Sequence, residues 1–208
     1  MFDPLVLASS FLTIASAVFV AELTDKDALL LLTLATKHKP WLVFAAGSIA
    51  FTITSAIIVT LGYFLVNVFP VSLITIIGGA IMIIYGTWSF LRADKEERGE
   101  LRRVDKSLSN NRSKSWTGML LTTIAFLVFL DLAGDATEIL TIIFVARYQN
   151  VLLVFTGAVS ALVAASAVET LIGNRLSKVL TSKRIRTFSF IVFLAIGTIA
   201  ILSTLARF

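Results

Sequence analysis

Long apolar stretches separated by short polar turns set the plan of this chain. Runs of about 20 apolar residues, enough to cross a hydrocarbon layer as a helix, give spans near 9–35, 41–66, 71–91, 117–146, 151–173 and 186–206. Pro40 and Pro70 precede the second and third spans, where a residue without an amide N–H separates one helix from the next. The first apolar stretch, Pro4 to Thr36, exceeds one untilted crossing at about 1.5 Å per residue, which places its front end at the membrane interface. No basic segment precedes it, so a cleaved signal peptide is not expected. The pattern predicts an all-α polytopic membrane protein with six transmembrane helices.

One stretch is polar at length. Residues 92–115 hold eight basic residues, from Arg92 to Lys114, and five acidic ones. They read as a solvated, charged linker between a first three-helix unit, 1–91, and a second, 116–208. Composition agrees with a membrane chain that has no soluble domain. Hydrophobic residues make up 57% and charged residues 15%, against roughly 25% charged in soluble proteins. There are no cysteines, which excludes disulfides and thiolate metal sites. The sole histidine, His38, stands in a Lys-His-Lys turn.

The net charge of +5 fits cytoplasmic loops and not a nucleic-acid partner. Lys37 and Lys39 follow the first span, the eight linker bases follow the third, and Arg175, Lys178, Lys183, Arg184 and Arg186 follow the fifth. Only Arg147 and Arg207 fall on the other side. By the positive-inside rule the linker is cytoplasmic and both termini lie outside. Short loops and a compact chain suggest a multi-pass protein of the cell membrane. The sequence leaves open whether further copies associate as a homo-oligomer.

The two units resemble each other. Sliding the chain against itself until Asp25 falls on Asp135 also puts Gly47 on Gly157 and Thr60 on Thr170, and a slightly longer shift puts Gly86 on Gly197. Three spans per unit is an odd number, so the second unit enters the membrane in the opposite sense. Two inverted three-helix repeats of this kind place a transporter's site near the midplane, where the repeats meet.

Seven carboxylates fall inside the spans: Glu22, Asp25, Asp27, Asp131, Asp135, Glu138 and Glu169. The only basic residue within a span is Lys26. An ionised group at the bilayer centre costs about 2.5–3.5 kcal/mol on insertion scales, and water, protonation or a bound cation must offset that. In Asp131-Leu-Ala-Gly-Asp-Ala-Thr-Glu138 the three acids lie within about 60° on one helical face. Glu22 and Asp25 also share a face, whereas Asp27 points elsewhere on a regular helix. Both clusters fall mid-span, and a helix break there, at Gly134 and its counterpart Thr24, would add carbonyl oxygens. The structural alternative for all of these acids is polar contact between helices.

Glu169 stands alone, opposite Val59 in the repeat, and reads as an accessory ligand or proton carrier. Lys26 pairs with Asp25 or Asp27, or acts as a tethered charge in an empty site. Thr137, Thr141, Ser55, Ser166 and Thr170 supply further oxygens, although hydroxyls in spans by default serve helix packing. Gly47, Gly157, Gly78 and Gly79 read as packing glycines, and Trp41, Trp88 and Trp116 as interfacial anchors.

Phe19-Val-Ala-Glu-Leu-Thr-Asp-Lys-Asp27, followed by an apolar helix, a basic turn and Val43-Phe-Ala-Ala-Gly47, resembles the transmembrane protein 165 family. These are cation/proton exchangers of the lysine-exporter superfamily, with Glu-x-Gly-Asp-Lys-(Thr/Ser) once in each inverted half. Glu22, Asp25 and Lys26 match the first copy, with Thr24 in place of its glycine and Asp27 in place of its hydroxyl residue. Gly134, Asp135 and Thr137 match the second, where Leu132 and Ala136 replace the acid and the base. Asp131 stands one position early and Glu138 follows the motif. The resemblance implies manganese or calcium as substrates.

The expected activity is export of a divalent metal cation, of the Mn²⁺ or Ca²⁺ type, in exchange for protons. Glu22, Asp25, Asp131, Asp135 and Glu138 form the expected metal and proton site, with Lys26, Asp27, Thr137 and Glu169 as accessories. Hard cations suit such oxygen ligands. Crowded carboxylates repel one another, so some hold protons when no cation is present. Metal and protons are the expected partners, with the lipid bilayer as surroundings and no cofactor besides the transported ion. Export of a cationic amino acid and a cation channel remain alternatives. An intramembrane aspartyl protease fits less well, because Leu132 occupies a required glycine position and no Tyr-Asp pair is present. No enzymatic activity is expected.

Overall fold

The computed structural model describes residues 3–37, 39–110, 121, 123–125, 127–129, 132, 136–179 and 182–206. Side chains at 26, 27, 29, 30, 37, 92–110, 172–179 and 182–186 lie outside that description. Among the described residues every regular element is a helix.

Helix α1 spans Pro4–Thr24. The Asp3 carboxylate accepts the Leu5 amide N–H at 3.0 Å, and Pro4 occupies the first turn, where its missing N–H costs nothing. Helix α2 follows over Lys26–Lys37. Helix α3 covers Pro40–Val68 and opens on a proline after Lys39. Helix α4 runs Val71–Asn110. The described positions in 121–129 are helical. Helix α5 spans Ala136–Tyr148, α6 Val151–Val179 and α7 Ser182–Leu205. The turn between α5 and α6 uses different chemistry from the Pro40 turn: Gln149 has φ 51°, and Asn150 accepts the Leu153 N–H at 3.1 Å as an N-cap.

Among the described residues five helical segments are long and apolar enough to cross a membrane: Pro4–Thr24, Pro40–Val68, Val71–Leu91, Val151–Leu171 and Thr187–Leu205. Their exposed apolar residues form stripes at helical spacing. On α3 these are Ile49, Ile53, Ile57, Leu61, Phe64 and Val68, and on α4 Leu73, Ile77, Ile81, Ile84, Trp88 and Leu91. Continuous apolar faces of this length have no place in water, and they match a lipid surround. Trp41 is exposed at the start of α3 and Trp88 near the end of the apolar segment Val71–Leu91 of α4. Trp116 lies outside the described residues.

The helix break expected at Thr24 falls at Asp25 and divides the stretch from Pro4 to Thr36 into α1 and α2. The charged segment after Leu91 continues α4 as helix to Asn110. Its composition explains this, because Lys, Glu, Arg and Leu all favour helix.

The repeat read from the sequence recurs in the elements. Lys26 and Ala136, the residues that follow Asp25 and Asp135, begin α2 and α5. Pro40 and Val151, and then Val71 and Ser182, begin the next two pairs of helices, both related by the shift that joins Gly86 to Gly197. Packing repeats as well. Helix α2 lies on α6 while α5 lies on α3, and the equivalent helices pair with each other, α3 with α6 and α4 with α7. The core at these crossings includes Ile14, Val18, Leu31, Phe51, Leu140, Val154 and Phe193.

Small residues allow the close approaches. A Cβ on Gly157 would stand 2.9 Å from Ile14 Cγ2, one on Gly78 2.8 Å from Ile143 Cγ1, and one on Gly47 3.2 Å from Leu31 Cδ2. The packing role expected of Gly47, Gly157, Gly78 and Gly79 is what the structure contains.

Candidate cation site at a broken helix

Helix α1 stops at Thr24, in the middle of a long apolar stretch of sequence. Asp25 is extended, with φ −85° and ψ 169°, and separates α1 from α2 by a single residue. Its N–H reaches the Glu22 carbonyl at 3.0 Å, while the Thr24 hydroxyl donates to the Ala21 carbonyl at 2.8 Å. The Ser189 hydroxyl, from α7, donates to the Thr24 carbonyl. The break turns the carbonyl end of α1 and the amide end of α2 toward the same place. The first favours a cation and the second favours carboxylates.

The described acids are deeply placed. Glu22 and Glu169 are 0% exposed, Asp25 2% and Glu138 8%. Glu22 lies in the last turn of α1, Glu138 in the first turn of α5 and Glu169 on α6. Helix α6 packs on α1, α2 and α5, and α1 also touches α5, so the four acids stand on mutually contacting helices. Thr137, Ser166 and Thr170 are buried on α5 and α6. The hydroxyls of Thr141 and Thr170 donate to carbonyls one turn back, Thr137 at 2.8 Å and Ser166 at 2.6 Å. Their lone pairs are what remain for other contacts.

Asp131, Gly134 and Asp135, and the side chains of Lys26 and Asp27, lie outside the described residues. Among the described residues no three His, Cys, Asp or Glu side chains are grouped closely enough to hold a metal. A set that includes the second motif's aspartates falls beyond that comparison.

Two residues at the break were not singled out from the sequence. Tyr85, on α4, donates its hydroxyl to Asp25 Oδ1 at 3.1 Å, and Ser189 holds the Thr24 carbonyl. One signal was available for Tyr85, a phenol in the middle of an apolar span. Ser189 gave none, since a serine in a span reads equally well as packing.

A family model described as divalent cation/proton antiporter GDT1 matches the chain twice, over residues 10–97 and 120–207. The chain belongs to the GDT1 family. The matches agree with the resemblance carried by the two motifs, and their starting points are related by the same displacement that joins Asp25 to Asp135. GDT1 proteins are antiporters, so the family speaks for transport and against intramembrane proteolysis. The broken helix and buried acids described above fall within the GDT1 matches. No curated protein and no solved structure matches the chain.

Proposed function

We propose that this protein exports Mn²⁺ or Ca²⁺ across the cell membrane in exchange for protons, through a midplane site made by two inverted three-helix repeats. Glu22, Asp25, Asp131, Asp135 and Glu138 are its metal and proton ligands, and Lys26, Asp27, Thr137 and Glu169 its accessories. The observation that carries this reading is the α1 break at Asp25, which sets a buried carboxylate beside a helix end. Irregular backbone at membrane depth is tolerated where it lines a cavity or a site. Helix α5 begins at Ala136, directly after Asp135 in the sequence, as α2 begins directly after Asp25.

Exchange follows from competition for one set of oxygens. A divalent cation neutralises carboxylates that otherwise take up protons, so one charge state excludes the other. Rocking of one repeat against the other opens the site to each side in turn. An inward proton gradient then drives the metal outward. The basic turns and the polar end of α4 face the cytoplasm, and both termini face out.

The test uses liposomes carrying the full chain, a pH gradient and either Mn²⁺ or Ca²⁺. Asp25→Asn and Asp135→Asn are expected to abolish metal-dependent proton flux. Flux at the wild-type rate in both variants would reject the site.

A further inference from the structure

We propose that Tyr85 is a positioning residue for the cation site, one that orients the Asp25 carboxylate and makes the two repeats chemically unequal. The inference rests on the reading of Asp25 as a ligand. Asp25 is the extended residue between two helices, so no helical rotamer restriction fixes its side chain. A contact from a neighbouring helix can therefore set its orientation. The Tyr85 hydroxyl supplies it, donating to Oδ1 at 3.1 Å from a distant part of the sequence.

The tyrosine is itself held. Its ring meets Phe193 of α7 edge to face, with centroids 5.8 Å apart and planes at 64°. Phe193 is fully buried. A Cβ on Gly86, the next residue after Tyr85, would stand 3.0 Å from Phe193 Cβ. The missing side chain at Gly86 therefore lets α7 close on the ring. Tyr85 cannot swing away from Asp25 without disturbing the packed α4–α7 pair. A ligand held in its bound orientation costs less ordering when the cation arrives.

The second repeat has a different residue at this position. The displacement that puts Gly86 on Gly197 puts Tyr85 on Ile196, which has no donor. The two aspartates share a motif position, and the sequence supplies a phenol at this place in the first repeat alone.

The test measures Mn²⁺ flux in proteoliposomes containing the full chain. Tyr85→Phe keeps the ring and its contact with Phe193 and removes only the hydroxyl. The half-saturating Mn²⁺ concentration is expected to rise about tenfold, the scale of a hydrogen bond to a charged group. The maximal rate and the thermal midpoint in detergent should stay at wild-type values, and the pH dependence of half-saturation should change. A purely structural role would instead lower the midpoint and the maximal rate and leave half-saturation alone. Phe193→Leu, which frees the ring but keeps the hydroxyl, is expected to shift half-saturation in the same direction by about threefold, a smaller loss because the donor is retained. Wild-type half-saturation and pH profile in both variants, with Asp25→Asn inactive, overturns the positioning role and leaves the site standing. An active Asp25→Asn would reject the site reading itself.

Discussion

The backbones of Gly79 and Gly197 touch where α4 crosses α7: a Cβ on Gly197 would stand 2.6 Å from the Gly79 carbonyl oxygen, and one on Gly79 2.8 Å from that of Gly197. Backbone cannot step aside as a side-chain tip can. Gly197→Ala should therefore separate the helices and destabilise the fold by about 1–3 kcal/mol, the usual range for overpacking. Gly47→Ala meets only the flexible end of Leu31 at 3.2 Å and should cost less. Thermal unfolding in detergent ranks the two.

The same crossing carries the imprint of the repeat. The displacement that takes Gly197 back to Gly86 takes Gly79 forward to Phe190. A Cβ on Gly86 would lie 3.7 Å from the Phe190 carbonyl oxygen, the same contact made at a looser distance. A two-fold relation between halves produces such reciprocal pairs.

Ser189 offers a second prediction. Its hydroxyl satisfies the carbonyl of Thr24, a residue 5% exposed at the α1 terminus. Ser189→Ala leaves that carbonyl without this donor, a loss of about 1–3 kcal/mol. Ser189→Thr keeps a donor and should retain more of the stability. Because a bound cation stabilises the folded state alone, saturating Mn²⁺ should raise the thermal midpoint of Ser189→Ala and of the wild type. A midpoint in Ser189→Ala equal to wild type without metal would show that the bond contributes nothing.

The backbone at Gln149 yields a third. Its φ of 51° closes α5, with its N–H on the Val145 carbonyl at 2.9 Å. A β-branched residue resists this left-handed conformation, whereas glycine accepts it. Gln149→Val should lower stability by about 1–2 kcal/mol, and Gln149→Gly should leave it near wild type. Equal midpoints for the two would mean that the turn rearranges instead of straining.

Much of the fold was legible because lipid imposes a simple rule on sequence. Long apolar runs, Pro40 and Pro70 located most of the helices, and the match of Asp25 to Asp135 located the repeat. The break was legible too, next to Thr24, because acids in the middle of an apolar span demand irregular backbone or a partner. The helical form of the segment beyond Leu91 was not read from the sequence, because the segment was judged by its charge although its residues favour helix. Tyr85 and Ser189 escaped for a different reason. Each acts on a residue far along the chain, and spacing within one span cannot reveal a contact made between spans.

Topology provides the last prediction, and the absence of cysteine makes it clean, because a single introduced thiol is then the only one to label. The proposed inverted topology puts the turn after α3 and the turn after α5 on the outer side, and the turn before α3 and the far end of α4 in the cytoplasm. Asn67→Cys and Gln149→Cys should react with a membrane-impermeant maleimide in intact cells, as both native side chains are exposed. Lys39→Cys and Ser107→Cys should react only after the membrane is permeabilised. The decisive pair is Lys39 and Gln149, which occupy corresponding turns of the two halves. A parallel repeat would put both on one side, so equal labelling of Lys39→Cys and Gln149→Cys in intact cells would exclude inversion and with it a site shared between oppositely directed halves.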